Sequence, residues 1–287
     1  MDIIINEKNY KYIKLLSQGS YGITLLYRRD DNYYVIKYFY PYKNDDYYIN
    51  FDKEVNINIE LINKLGKNNT CNKNYICYID SFYISIKDEP LYNNIFNIML
   101  LITKNIDIKN IYACITKYID GETIYNYIIY NEVIYKDIID FIKFMINVIK
   151  ELDENNIVHR DIKPDNIIRK FDGNYVLIDF GIACIDTCSD NSINIKYMAP
   201  WLKNKNLTFE EYKINDIYSF CITLYILMNK IFPLNKNNEY IKSSTKWDDL
   251  NKFIDNIFEN DFFNIYYIEK KLNEIKLNEE YYINDIF

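Results

Sequence analysis

Residues Asn155–Gly181 read NNIVHRDIKPDNIIRKFDGNYVLIDFG. This stretch holds the only histidine of the 287-residue chain, His159, together with Arg160 and Arg169 from a chain very poor in arginine. Asp161 follows directly, Asn166 stands five residues further on, and Pro164 between them argues against a continuous helix. YVLIDFG then reads as a short apolar strand ending in Asp179, followed by Gly181. Asn166 and Asp179 offer the hard oxygens that suit Mg²⁺. Asp161 has the chemistry to accept a hydroxyl proton and orient a nucleophile. Lys163 is placed to neutralise charge on a transferred phosphoryl group.

The background composition gives these residues their weight. About 53 Ile and 40 Asn stand against three Ala, far from average usage. Ile, Asn, Lys and Tyr use AT-rich codons, whereas Ala, Gly, Pro and Arg use GC-rich ones. The pattern is that of an AT-rich genome, as in some giant viruses and protists, and positions that escape it carry information. Hydrophobic residues make up 49% of the chain, enough for a sizeable core, and the length suits one large domain or two lobes sharing a cleft. A net charge of −7 argues against nonspecific nucleic-acid binding. The six cysteines show no dense disulfide framework. A zinc site at Cys184 and Cys188 would need further ligands, so free thiols are expected. The start, MDIIINEKNY, lacks the basic and apolar regions of a signal peptide. The most apolar run, Ile217–Met228, is about 12 residues, short of the ~20 that span a bilayer, and reads as a buried helix. A cytoplasmic protein without membrane or nucleic-acid partners is expected.

Outward from the opening stretch, residues 10–40 carry three strand-like segments in an antiparallel meander. DKEVNINIELINKLG follows with helical spacing, with Val55, Ile59 and Ile62 on one face and Gly66 as the stop. NYICYIDSFYISI and NIYACITKYI read as strands, and residues 87–110 between them as an insertion of undefined structure. YKDIIDFIKFMINVIKELDENN and FEEYKINDIYSFCITLYILMNK read as long helices. Gly19 and Gly22 lie between two strands, where they serve either a hairpin turn or the close approach of backbone N–H groups to a phosphate. Lys37, in an apolar strand, faces either solvent or a ligand. In the second case it needs an acidic partner, for which Glu54 is preferred to Glu60.

The order of these features resembles the eukaryotic-type protein kinase family, from about Lys14 to at least Leu227: glycine loop, strand lysine, helix glutamate, H-R-D-x-K-x-x-N, D-F-G and Y-M-A-P. The catalytic-loop signature is the specific part of the match. The resemblance implies an α+β, bilobal protein-kinase-like fold, with a small β-rich N-lobe with one main helix over 1–117 and a larger, mainly helical C-lobe over 118–287. It implies ATP and Mg²⁺ as cofactors and a protein Ser/Thr substrate, with Lys163 favouring the Ser/Thr class. Lys37, paired with Glu54, would hold the α- and β-phosphates, Asp161 would be the catalytic aspartate, and Asn166 and Asp179 would bind Mg²⁺. Ser17, Gly19 and Gly22 would line the phosphate loop. Leu16, Thr24 and Val35 would form the roof over adenine and Ile168 the floor, positions that ordinary core packing also explains. Thr116 falls at the gatekeeper position, and the backbone of Lys117 and Ile119 would meet the base. His159 would be scaffolding beneath D-F-G. Arg160 would meet either a phosphate on Thr187, Ser189 or Ser192, or a nearby carboxylate.

Several positions depart from the family pattern. Ser17 replaces the first glycine of the loop, and Val35 stands where Ala is usual. Trp201 follows Y-M-A-P where Glu is usual, and no arginine follows Arg169 to pair with such a Glu, so Trp201 is expected to pack on apolar residues of the last helices. Asn194 replaces a Thr that touches the catalytic Asp and Lys. Asp216, by contrast, matches the buried aspartate of the family's long central helix, and the resemblance implies that it accepts backbone hydrogen bonds from the catalytic loop; otherwise it caps its helix. Ser17, Asn194 and Trp201 are what a catalytically weak or silent nucleotide-binding scaffold would show, and that is the alternative reading. A small-molecule phosphotransferase of the same fold is the alternative among enzymes.

Overall fold

The structure is a computed structural model describing residues 2–18, 22–40, 46–65, 71–85, 110–236, 238–261 and 263–275. Gly19, the helix stop at Gly66 and residues 87–109 of the expected insertion lie outside these. The chain packs as two compact units, Met1–Asn72 with Ile76–Ile119, and Lys73–Tyr75 with Asp120–Phe287.

The first unit is built on an antiparallel sheet. Its strands are β1 (Ile3–Ile5), β2 (Lys8–Gln18), β3 (Gly22–Arg29), β4 (Asn32–Phe39), β5 (Tyr78–Ser85) and β6 (Asn110–Lys117), in the order β1-β2-β3-β4-β6-β5. The expected meander is present. Alternation along β4 sends Tyr34, Ile36 and Tyr38 to one face, where they join Ile23, Leu25 and Tyr27 of β3 and Ile111, Ala113 and Ile115 of β6 in a core. A core rich in tyrosine must satisfy its hydroxyls. Tyr27 and Tyr38 hydrogen-bond each other at 3.0 Å, while Arg29 donates to Tyr10 at 2.6 Å and to Tyr34 at 2.8 Å. Gly22 is required by the pairing of β3 with β4, since a Cβ there would lie 2.1 Å from the Tyr38 carbonyl oxygen.

The other face of the sheet carries α1 (Asp46–Leu65), with Val55 packed on Phe39 and Cys114. Two expectations are corrected here. Glu54 lies mid-helix, because the helix starts earlier than the apolar pattern suggested. Ile59 is exposed, Ile62 has a side chain outside the described ones, and among those described the buried residues are Glu54, Val55, Ile57, Asn58 and Leu61. Spacings of three, four and seven from Glu54 define that face. Isoleucine is too common in this chain to mark it.

The second unit is mainly helical. It contains β7 (Gly121–Thr123), α2 (Ile124–Tyr130), α3 (Tyr135–Glu154), β8 (Ile157–Val158), β9 (Ile167–Lys170), β10 (Tyr175–Leu177), β11 (Cys184–Ile185), α4 (Phe209–Asn229), α5 (Asp248–Glu259) and α6 (Ile265–Glu274). α4 is buried along nearly all of its length from Tyr212 to Met228, as an apolar-all-round helix must be. No helix among the described residues is long and apolar enough to cross a membrane. β10 pairs with β9, and β9 with β7. β11 pairs with β8. The apolar strand expected to end at Asp179 stops at Leu177.

Four of the six cysteines form disulfides, Cys71–Cys77 and Cys184–Cys188, where free thiols were expected. Each pair spans a tight turn that brings its Cα atoms to 5.3 and 5.4 Å, within bridging range. Cys114 and Cys221 are free and buried.

Candidate active site

β8 ends at Val158, and the chain turns through His159–Lys163 into a 3-10 turn over Pro164–Asn166. Proline at the start of that turn gives up an N–H that has no intrahelical partner. Asp216, in the middle of α4 and buried, accepts the backbone N–H of His159 at 2.6 Å and of Arg160 at 2.8 Å. It is not the cap of its helix. Thr208 fills that role in a reciprocal pair with Glu211. Burial pushes the Asp216 carboxyl up to about 7, against the pull of the two N–H bonds and the Arg160 charge. Those bonds anchor Arg160 at φ 66°, in the left-handed region that side chains rarely adopt.

His159 is fully buried. Its Nε2 lies 3.1 Å from the Ile178 carbonyl oxygen, and its Nδ1 accepts from the Asp161 N–H at 3.2 Å. A donor at Nε2 and an acceptor at Nδ1 make the neutral tautomer, and burial lowers the pKa in the same sense. The ring meets Phe180 edge-on at 4.6 Å. The sole histidine thus ties the segment before Asp161 to the segment around Asp179.

The Asp161 carboxylate is fixed by three side chains. Its Oδ1 accepts from Asn194 at 2.8 Å, and its Oδ2 accepts from Lys163 at 2.7 Å and from Asn166 at 2.8 Å. The Oδ1 of Asn194 accepts from the Lys196 N–H at 3.2 Å, so both ends of that amide are used. Asp179 stands at φ 63°, its Oδ1 3.3 Å from the Gly181 N–H. Among the described residues no group of three or more His, Cys, Asp or Glu side chains is fit to hold a metal. A nucleotide-bound Mg²⁺ needs fewer, since phosphates and water fill most of its positions. Asn166 donates through Nδ2, which leaves Oδ1 as its acceptor, and Asp179 adds a carboxylate, so these residues fit such an ion.

In the first unit, alternation turns Lys37 to the α1 side of the sheet. Its Nζ lies 2.7 and 3.0 Å from the two carboxylate oxygens of Glu54. Glu60 pairs with Lys64 instead.

A protein kinase domain model matches residues 10–277. The chain belongs to the protein kinase family. It is similar to a mimivirus protein named as a serine/threonine-protein kinase (Acanthamoeba polyphaga mimivirus), 33% identical over 164 residues, which are 48% of this chain and 57% of that protein. It is also similar to the serine/threonine-protein kinase PrkC of Bacillus subtilis, 30% identical over 133 residues, 44% of this chain and 20% of that one. A Xenopus laevis serine/threonine-protein kinase, stk11, is 31% identical over 103 residues, 33% of this chain and 24% of that one. The chain therefore covers little more than half of the first of these relatives and a smaller share of the others.

The remaining candidate positions of this kinase domain are distributed as follows. Thr116 is buried on β6, Thr24 and Val35 are half-buried on β3 and β4, and Leu16 is exposed near the end of β2. Ser17 lies opposite Thr24, and Ile168 opposite Val176. The Lys117 N–H is already donated to the Cys77 carbonyl at 2.9 Å. Trp201 meets aromatic partners, stacking on Phe263 just before α6 and edge-on to Tyr218 of α4, yet stays 45% exposed.

Arg160 is bound by a carboxylate, one of its two expected partners. Its side chain has no exposure, and it donates from Nε to the Ile182 carbonyl at 2.6 Å and from Nη1 to Asp190 Oδ1 at 2.9 Å. The sequence reading did not single out Asp190, which is one acid among small polar residues with nothing in its spacing to mark it. It also passed over Asn215, whose Oδ1 accepts the Ala199 N–H at 3.0 Å and holds the Y-M-A-P segment on α4.

Proposed function

We propose that this chain is an ATP-dependent serine/threonine protein kinase of bilobal form, with an N-lobe over 1–117 and a C-lobe over 118–287, working on protein substrates in the cytoplasm. The γ-phosphoryl group passes to a serine or threonine hydroxyl oxygen while Asp161 orients that hydroxyl and accepts its proton. Lys163 offsets charge on the group in transit. Lys37, steered by Glu54, holds the α- and β-phosphates, and backbone at Ser17, Gly19 and Gly22 covers them. Asn166 and Asp179 hold Mg²⁺, which supplies neutralisation of phosphate charge. Adenine lies against Leu16, Thr24, Val35 and Ile168, next to Thr116. Its backbone contacts are with Ile119 and with Lys117, whose contribution falls to the carbonyl because its N–H is engaged.

The observation that carries this reading is the Asp161 carboxylate held at once by Lys163, Asn166 and Asn194. A general base must be aimed before it can act, and three donors aim it. The serine/threonine class is supported by Lys163 and by the names of the similar proteins. The test is transfer of label from γ-labelled ATP with Mg²⁺ to a generic basic protein, followed by identification of the labelled residue. Label on serine or threonine from the parent and none from Asp161→Asn is expected. Label on neither, with Mg-ATP binding intact, would overturn the assignment of transfer to this chain.

A further inference from the structure

The Arg160–Asp190 pair carries a consequence for regulation. The Arg160 guanidinium is wholly buried, and the charge of a buried guanidinium needs an anion. Among the described residues, Asp190 is the only carboxylate its side chain contacts. The contact is doubled, because Nη1 also donates to the Asp190 carbonyl at 3.0 Å. Asp190 is itself braced. Its Oδ1 accepts the Ser192 N–H at 2.8 Å, and its carbonyl accepts the Tyr212 hydroxyl at 3.3 Å. Tyr212, buried on α4, also presents its ring to the guanidinium at 5.2 Å. Arg160 directly precedes Asp161, and its carbonyl accepts the N–H of Asn194, the residue that donates to Asp161. The clamp therefore fixes both the loop that bears Asp161 and the segment that bears one of its three donors.

We propose that Asp190 is a positioning residue whose carboxylate supplies the anion Arg160 requires, so that phosphoryl transfer proceeds without a phosphate on Thr187, Ser189 or Ser192. This rests on the kinase reading above. A carboxylate built into the chain cannot be removed by a phosphatase, so the segment is held in place from the moment of folding. Regulation then has to come from somewhere other than phosphorylation of this segment.

Two measurements test this. The first needs no activity. Amide hydrogen exchange is compared between the full chain and Asp190→Ala, and faster exchange at Ser192 and Asn194 is expected. Unchanged protection there would overturn the clamp even if the chain transfers no phosphate, and this keeps its failure distinct from failure of the kinase reading. The second is kinetic. Protein treated with phosphatase, shown by intact mass to carry no phosphate, should start without a lag. Asp190→Ala should lose roughly tenfold to a hundredfold in kcat, as expected for a misplaced catalytic group, with KM for ATP little changed. Asp190→Glu should recover most of the loss, which a general folding defect would not. A lag that ends as phosphate accumulates, a loss confined to KM, or full activity of Asp190→Ala would each overturn the proposal.

Discussion

Arg160 and Arg169 stand nine residues apart, and each binds one aspartate, but the two pairs are built differently. Arg169 reaches the Oδ1 of Asp137 with both Nε and Nη2, at 3.2 and 2.7 Å, and lies over the Tyr127 ring. Asp137 also accepts the Tyr127 hydroxyl, and its carbonyl accepts that of Tyr175. These groups join α2, α3, β9 and β10 into one body, and none of them touches Asp161. Arg160 spends its donors on two carbonyls and one carboxylate oxygen of loop residues, and its Nη2 has no partner among the described residues. The first pair leaves no buried side-chain donor or acceptor without a partner among the described residues and ties regular elements together. The second is incompletely satisfied and ties together loops beside Asp161. The same ion-pair chemistry joins regular elements in one place and the loops around the proposed catalytic aspartate in the other, and what separates them is what each pair holds still.

The sharpest way to break the comparison is to remove the group that the Arg160 side is built to hold. Asp161→Asn keeps the shape of the side chain and loses the base, and kcat should fall by about 10²–10⁴-fold. Affinity for Mg-ATP should stay close to that of the parent. Initial rates and nucleotide titrations on the same preparation read both. If kcat survived the substitution, the Arg160 clamp would be positioning the wrong residue.

On the Arg169 side the expected loss is in stability. Asp137→Ala leaves a largely buried guanidinium without its carboxylate, a change that costs about 3–5 kcal/mol. Urea unfolding should show that loss in the midpoint, while kcat per folded molecule stays near the parent value. A matching fall in kcat would erase the distinction between the two arginines.

The sequence made the Arg160 region legible only in part, for physical reasons. His159, Asp161, Lys163, Asn166 and Asp179 lie close together in the chain and stand out against an Ile/Asn/Tyr background, so their grouping was visible before any fold was known. Asp216 was also found, because it matches the buried aspartate of the central helix in the family that the sequence resembles. Asp190 and Asn215 were not, because their meaning depends on which backbone groups face them after folding. α1 shows the same limit. Its existence was clear and Val55 is buried as expected, but Ile59 was misjudged because isoleucine also occupies exposed positions in this chain. The cysteine pairs were missed because spacing alone does not show how a turn brings two Cα atoms within bridging distance.

The smallest effect concerns pH and separates the two regions once more, because the titrating groups in question sit on the Arg160 side. His159 is held neutral by burial, so the unfolded chain binds one more proton below its ordinary pKa of about 6.5, and this makes stability fall as pH drops. Asp216 works in the opposite sense. With its folded value near 7 and its unfolded value at 3.8, the folded chain binds the extra proton in between, so this group makes stability fall as pH rises. In the parent the two slopes oppose each other in the acidic range below pH 6.5. Asp216→Asn cannot titrate, so it should uncover the His159 slope. The free energy of unfolding of the variant should rise with pH between 5 and 6.5 by about 1.4 kcal/mol per unit more than that of the parent. The amide of the variant accepts only through its oxygen, so a backbone N–H loses part of its bond, a cost that does not change with pH. That offset is constant, so the slope is the quantity to compare, and urea titrations at three pH values suffice. Equal slopes would mean that Asp216 stays ionised throughout, with the two N–H bonds and Arg160 outweighing burial. The catalytic loop would then be held by a full charge on each side, Asp216 beneath its backbone and Asp190 beyond its arginine.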